Sequence, residues 1–80
     1  MGRYLVLIEK GPTSYGAYAP DVPGCVAIGK TSQEALQRFR EALPSHLELM
    51  QEDGDHIPEA EHIETHFIEV DVPDVVPAKP

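Results

Sequence analysis

Eighty residues make one domain with room for a single small core. Six Lys and Arg against fourteen Asp and Glu give a formal net charge of −8, a field that repels phosphate backbones and anionic membranes. Direct binding to nucleic acid or membrane is therefore not expected; a basic protein would be attracted, although solubility alone is the plainer reading of the same charge. The single cysteine, Cys25, excludes an intramolecular disulfide framework. The first apolar run, residues 4–8, is too short for a signal peptide or a membrane span. Gly2 does not open a myristoylation motif, because Val6 stands where Ser or Thr is needed. A cytoplasmic, soluble protein is expected.

Tyr4, Leu5, Val6, Leu7 and Ile8 form the first predicted strand, apolar at both parities, as suits a strand covered on both faces. Gly11-Pro12-Thr13 breaks it. Residues 14–19 read as a second strand with Tyr15, Ala17 and Ala19 on one face, and Gly16 and Tyr18 on the other. Residues 20–24 are a dense turn signal. Pro23 fixes φ and Gly24 accepts the positive φ that a type II turn places next. Residues 25–28 make a third short strand, ended by Gly29, so the three strands should form an antiparallel meander.

A long helix follows. Thr31 can cap it, and Glu34 three residues on completes a capping box. Leu36, Phe39, Leu43, Leu47 and Met50 recur at spacings of three and four and share one stripe, flanked by Ala35 and Ala42. Pro44 costs about 3 kcal/mol in a helix interior. The stripe nevertheless keeps its phase across it, which predicts one kinked helix rather than two. Gly54 is the expected stop. Residues 53–64 read as a loop. His66, Ile68, Val70 and Val72 alternate with Phe67, Glu69 and Asp71, which predicts a half-buried fourth strand. Residues 73–80 carry three prolines and are expected to be a flexible tail, leaving 1–72 as the domain.

The predicted fold is thus α+β, two-layer β-β-β-α-β, a four-stranded mainly antiparallel sheet with one long helix on one face. One helix covers one sheet face. The other face should be buried in a homodimer, a higher homo-oligomer or a partner.

Three constellations could carry chemistry. His56, His62 and His66, near Asp53, Asp55, Glu59 and Glu61, could ligate a metal but show no recognised spacing, and a solvated acidic loop is the simpler reading. Cys25 with His46 could make a nucleophilic pair, but no helix N-terminus follows the cysteine to lower its pKa, and a small buried strand residue explains it better. Glu9, Glu69 and Asp71 could be paired carboxylates for metal-assisted phosphoryl chemistry, without a phosphate-binding glycine loop. No catalytic residue, metal ligand or cofactor is assigned. The acidic helix flank, Glu34, Glu41, Glu48 and Glu52, is either a solvated face or a docking surface for a partner.

Taken in order, these residues resemble the HicB family of antitoxins. The likeness rests on Tyr4-Leu5-Val6, on Tyr18-Ala19-Pro20-Asp21-Val22-Pro23-Gly24-Cys25, on Gly29 with Thr31-Ser32-Gln33-Glu34-Ala35, and on Glu52-Asp53-Gly54-Asp55 before Ile57-Pro58. The resemblance implies a partial RNase H-like fold without that fold's catalytic carboxylates. It also implies a non-catalytic role in a type II toxin–antitoxin system, masking a small basic HicA-like RNase. Many family members carry a C-terminal DNA-binding unit; residues 73–80 are too short and Pro-rich to be one. The alternatives are a stand-alone oligomeric HicB-like domain that binds another protein or small ligand, and a metal-dependent RNase H-like nuclease using Glu9 or Asp71.

Overall fold

In the computed structural model, which describes residues 2–73, the chain forms strands β1 (Leu7–Lys10), β2 (Tyr15–Tyr18) and β3 (Val26–Gly29), then helix α1 (Ser32–Glu52). The sheet is an antiparallel meander in the order β1-β2-β3. A tight hairpin sets its frame: Gly11 N–H donates to the Ser14 carbonyl at 2.7 Å, which places Lys10 opposite Tyr15 and Leu7 opposite Tyr18. This is why β1 lies three residues later than the apolar run suggested. β2 ends at Tyr18, so Tyr4, Leu5 and Val6 have no ladder partner; they stay half-buried, and Tyr4 and Val6 pack on the core.

The expected turn at Pro23-Gly24 is present, with Gly24 at φ +82°. α1 begins as its capping residues dictate. Thr31 Oγ1 accepts from Glu34 N–H at 3.0 Å, and the Glu34 carboxylate reaches back to Lys30 N–H at 2.8 Å, one residue before the cap itself. The helix closes at Gly54, φ +78°: Gly54 N–H donates to Gln51 and Asp55 N–H to Met50, the paired bonds of a Schellman motif. Between these ends α1 runs unbroken through Pro44. Leu43 on one side of the proline and Leu47 and Met50 on the other all pack on the core, and that burial offsets the lost backbone bond.

The core is made mostly of small side chains. Ala17, Ala19, Val22, Cys25, Ala27, Ala35 and Phe39 are buried, and of these only Phe39 and Val22 are large and fully enclosed. Gly29, at the end of β3, lies close against the first turn of α1. A Cβ added at Gly29 would stand 2.5 Å from Ala35 N, 2.9 Å from Glu34 C and 3.0 Å from Ala35 Cα, all of them backbone. Gly29→Ala should therefore lift the first turn of the helix and cost about 1–3 kcal/mol, as overpacking does. An unchanged urea midpoint for this variant would contradict the close approach. Ala42, expected beside the sheet, is exposed instead, and Leu36 is half-buried outside the packed cluster.

The fourth strand is not formed. Residues 66–72 pair with no described residue, and Phe67, Ile68, Val70 and Val72 are exposed on both faces of the segment. Alternation makes a segment able to be a strand, but a strand also needs an edge to bond with, and here the chain leaves its own sheet. Glu61 N–H donates to the Arg3 carbonyl at 2.9 Å, and Tyr4 Oη donates to the Pro58 carbonyl at 2.6 Å. Beyond Ile63 the chain projects away as an arm. The radius of gyration, 16.4 Å, exceeds the roughly 12 Å of a compact chain of this length for that reason. The Pro-rich tail lies, apart from Pro73, outside the described residues.

Candidate binding surfaces

The two sides of α1 have opposite characters. Ala35, Phe39, Leu43, Leu47 and Met50 face the sheet. Glu34, Glu41, Glu48 and Glu52 follow at intervals of seven, seven and four, which places them within about 40° of one another on a helix, on the side away from the core. Glu41, Glu48 and Glu52 are exposed, whereas Glu34 is half-buried.

These four carboxylates do not have the same reason to be there. Glu34 sits in the first turn, where the helix dipole favours negative charge, and it is committed: it binds Lys30 N–H and lies 3.6 Å from the Arg38 guanidinium. That role is structural. Glu52 lies in the last turn, and that turn has no basic residue. Negative charge at a helix C-terminus opposes the dipole, so Glu52, with Glu48 one turn before it, works slightly against the helix that carries it.

The sheet face turned away from α1 is apolar and open. The register puts Leu7, Tyr18 and Val26 in one row and Glu9, Gly16 and Ile28 in the next. Val26 is 62% and Ile28 52% exposed. Tyr18 Oη donates to Glu9 Oε1 at 2.9 Å, and this bond, ahead of burial and the nearby charge, raises the phenol above its usual pKa. Glu9 is therefore tied to a tyrosine. The shallow cleft beside Glu69, Val70 and Asp71 does not include it.

Three of the histidines each meet a different partner. His62 Nδ1 lies 2.9 Å from Asp21, His66 pairs with Glu64 in the arm, and His46 Nε2 meets the Pro23 carbonyl at 3.0 Å. Among the described residues, no three His, Cys, Asp or Glu side chains converge as a metal site. Cys25 is buried, and its desolvation pushes the thiol pKa up, which suppresses the thiolate that a nucleophile would need. His46 holds the Pro23-Gly24 turn against α1, which the sequence alone did not show. The arm also escaped sequence reasoning as a surface, since its alternation reads the same whether it pairs within the chain or outside it.

The geometry offers binding surfaces: an acidic helix flank, an apolar sheet face and an exposed arm. The family described as HicB_like antitoxin of bacterial toxin-antitoxin system matches residues 4–78. The chain belongs to the HicB-like antitoxin family. A UPF0150 protein of Thermoplasma acidophilum is 36% identical over 67 residues, covering 80% of this chain and 97% of that protein. An uncharacterised 14.9 kDa protein from the rep-hol intergenic region of Haemophilus phage HP1 is 36% identical over 73 residues, covering 91% of this chain. This HicB-like chain spans 55% of that phage relative, about half its length. A UPF0150 protein of Helicobacter pylori is 42% identical over 41 residues, 51% of this chain and 57% of that protein. Among the described residues no helix is long and apolar enough to cross a membrane.

Proposed function

We propose that this HicB-like chain is the non-catalytic, binding half of a toxin–antitoxin pair, and that it sequesters a small basic HicA-like RNase in the cytoplasm by covering the toxin's RNA-binding surface. Membership of the antitoxin family carries this reading. The net charge of −8 and the outward stripe of Glu41, Glu48 and Glu52 supply the physical means, since an RNA-binding surface must be cationic and an acidic face competes for it. Glu34 belongs to the same stripe, although its capping bonds leave it less free to reach a partner. The chain itself contacts neither nucleic acid nor membrane in this account. Its β-β-β-α order is what a partial RNase H-like fold would share, with that fold's chemistry unused.

The chain also works as a homodimer in this reading. The open sheet face is apolar and, apart from Glu9, uncharged, so two copies can meet there without bringing their acidic helix flanks together.

The experiment is a titration with a small basic HicA-like RNase. A complex that forms at low ionic strength and weakens as salt rises is the expected result. Absence of any complex at low salt would overturn the assignment of that partner class.

A further inference from the structure

We propose that the basic partner docks on the free edge of β3, beside the acidic side of α1, and supplies there a short extended segment in which Lys or Arg alternates with apolar residues. This rests on the toxin-binding reading above, and adds to it the site and the form of the contact.

The hairpin fixes which backbone groups are free. Gly11 N–H donates to the Ser14 carbonyl, so these two residues are a hydrogen-bonded pair, and antiparallel pairs alternate between bonded and non-bonded. Counted along the register, Gly16 and Tyr18 turn their N–H and C=O toward β1, whereas Tyr15 and Ala17 turn theirs toward β3. Ala27 and Gly29 complete that second ladder, so the peptide groups of Val26 and Ile28 point out of the sheet. Arg38 agrees with this phase: its Nη1 reaches the Ile28 carbonyl from α1 at 2.8 Å. The N–H and C=O of Val26 and the N–H of Ile28 bond to no described residue. The opposite edge is not equivalent. At the approach to β1 the chain lies against itself, with Glu61 N–H on the Arg3 carbonyl and Tyr4 Oη on the Pro58 carbonyl.

Arg38 also locates the charge beside this edge. Its guanidinium lies 3.6 Å from Glu34, so it stands between the acidic stripe and the Ile28 carbonyl, on the β3 side of α1. The helix runs back along β3: Arg38 meets Ile28, and two turns later His46 meets the Pro23 carbonyl at 3.0 Å. Glu41 lies between those two levels, alongside Val26, and among the described residues no ion pair engages it. A strand added here would alternate in character. Residues opposite Val26 and Ile28 would share the face on which those side chains are 62% and 52% exposed, and apolar groups suit that face. The residue between them would face α1, where a long cationic side chain reaches Glu41. Its backbone N–H would take over the Ile28 carbonyl, leaving Arg38 to Glu34. Charge disfavours a second copy as the occupant, because pairing two β3 edges would bring together the acidic flanks of two chains of net charge −8.

The test titrates the isotope-labelled full-length chain with a small basic HicA-like RNase at low salt and follows amide hydrogen exchange residue by residue. Exchange at Val26 and Ile28 is expected to slow roughly 100-fold or more in the complex. The rate at Ile8, whose N–H points out of the β1 edge, is expected to stay unchanged. A complex that leaves Val26 and Ile28 unprotected would overturn the docking site while toxin binding stands, and absence of any complex would overturn both. Protection that develops in the chain alone as its concentration rises would give the edge to a second copy, and would overturn a basic occupant. As a second measurement, Val26→Pro removes an outward N–H and no bond of the β2–β3 ladder. It should weaken the complex roughly 10-fold, while protected Ala27 and Gly29 amides report that β3 is still formed. Unchanged affinity with β3 intact would overturn the docking site.

Discussion

Replacing Phe39 by alanine is expected to remove about 3–5 kcal/mol of folding stability, the usual cost of truncating a buried aromatic. Phe39 is 1% exposed and, with Val22, is one of the two large side chains fully enclosed among the described residues. Four of the other six buried core residues are alanines, which cannot rotate or extend to fill the space it would vacate. A chain of this length has roughly 4–12 kcal/mol of stability in total, from about 0.05–0.15 kcal/mol per residue. The variant should therefore lose most of its cooperative urea transition. Leu49→Ala is the control: Leu49 lies on the same helix but is 57% exposed, and its truncation should cost within about 0.5 kcal/mol. A Phe39→Ala midpoint close to that of Leu49→Ala would show that the core lies elsewhere.

The second large effect concerns binding. Reversing the outward stripe, Glu41→Lys with Glu48→Lys and Glu52→Lys, should weaken association with the basic partner on the order of 100-fold at low salt, chiefly through a slower on-rate. The opposite change is expected for the helix. Positive charge near a C-terminus is favoured by the helix dipole, by about 0.3–1 kcal/mol at exposed sites. No residue of the last turn is basic now, so the triple variant should fold at least as stably as the parent while binding worse. That opposition between fold and function is what distinguishes a docking surface from a merely solvated one. Surface plasmon resonance at two salt concentrations, beside a urea melt, measures both. Unchanged affinity would move the interface off the helix.

Local signals in the sequence carried most of the fold. The turn at Pro23-Gly24, the cap at Thr31 and the stop at Gly54 each follow from the chemistry of one or two residues, and each is where the sequence places it. The stripe from Phe39 to Met50 kept its helical phase across Pro44, and the helix is continuous. What local pattern could not supply was pairing. The frame of β1 depends on the Gly11–Ser14 hairpin bond and on where β2 ends, not on where the apolar run begins. Residues 66–72 have the alternation of a strand, but whether they bond within the chain depends on an edge more than fifty residues away in sequence. The acidic flank was legible as a stripe from its spacing alone. The separate role of Glu34 became visible only when its carboxylate was found on Lys30 N–H.

Masking of a toxin is read directly from RNA cleavage by a small basic HicA-like RNase in the presence of increasing amounts of this chain. Cleavage is expected to fall to background at a stoichiometric ratio and to return as salt rises, and the chain alone is expected to cleave nothing. Undiminished cleavage at an excess of the chain, under low salt, would contradict the masking.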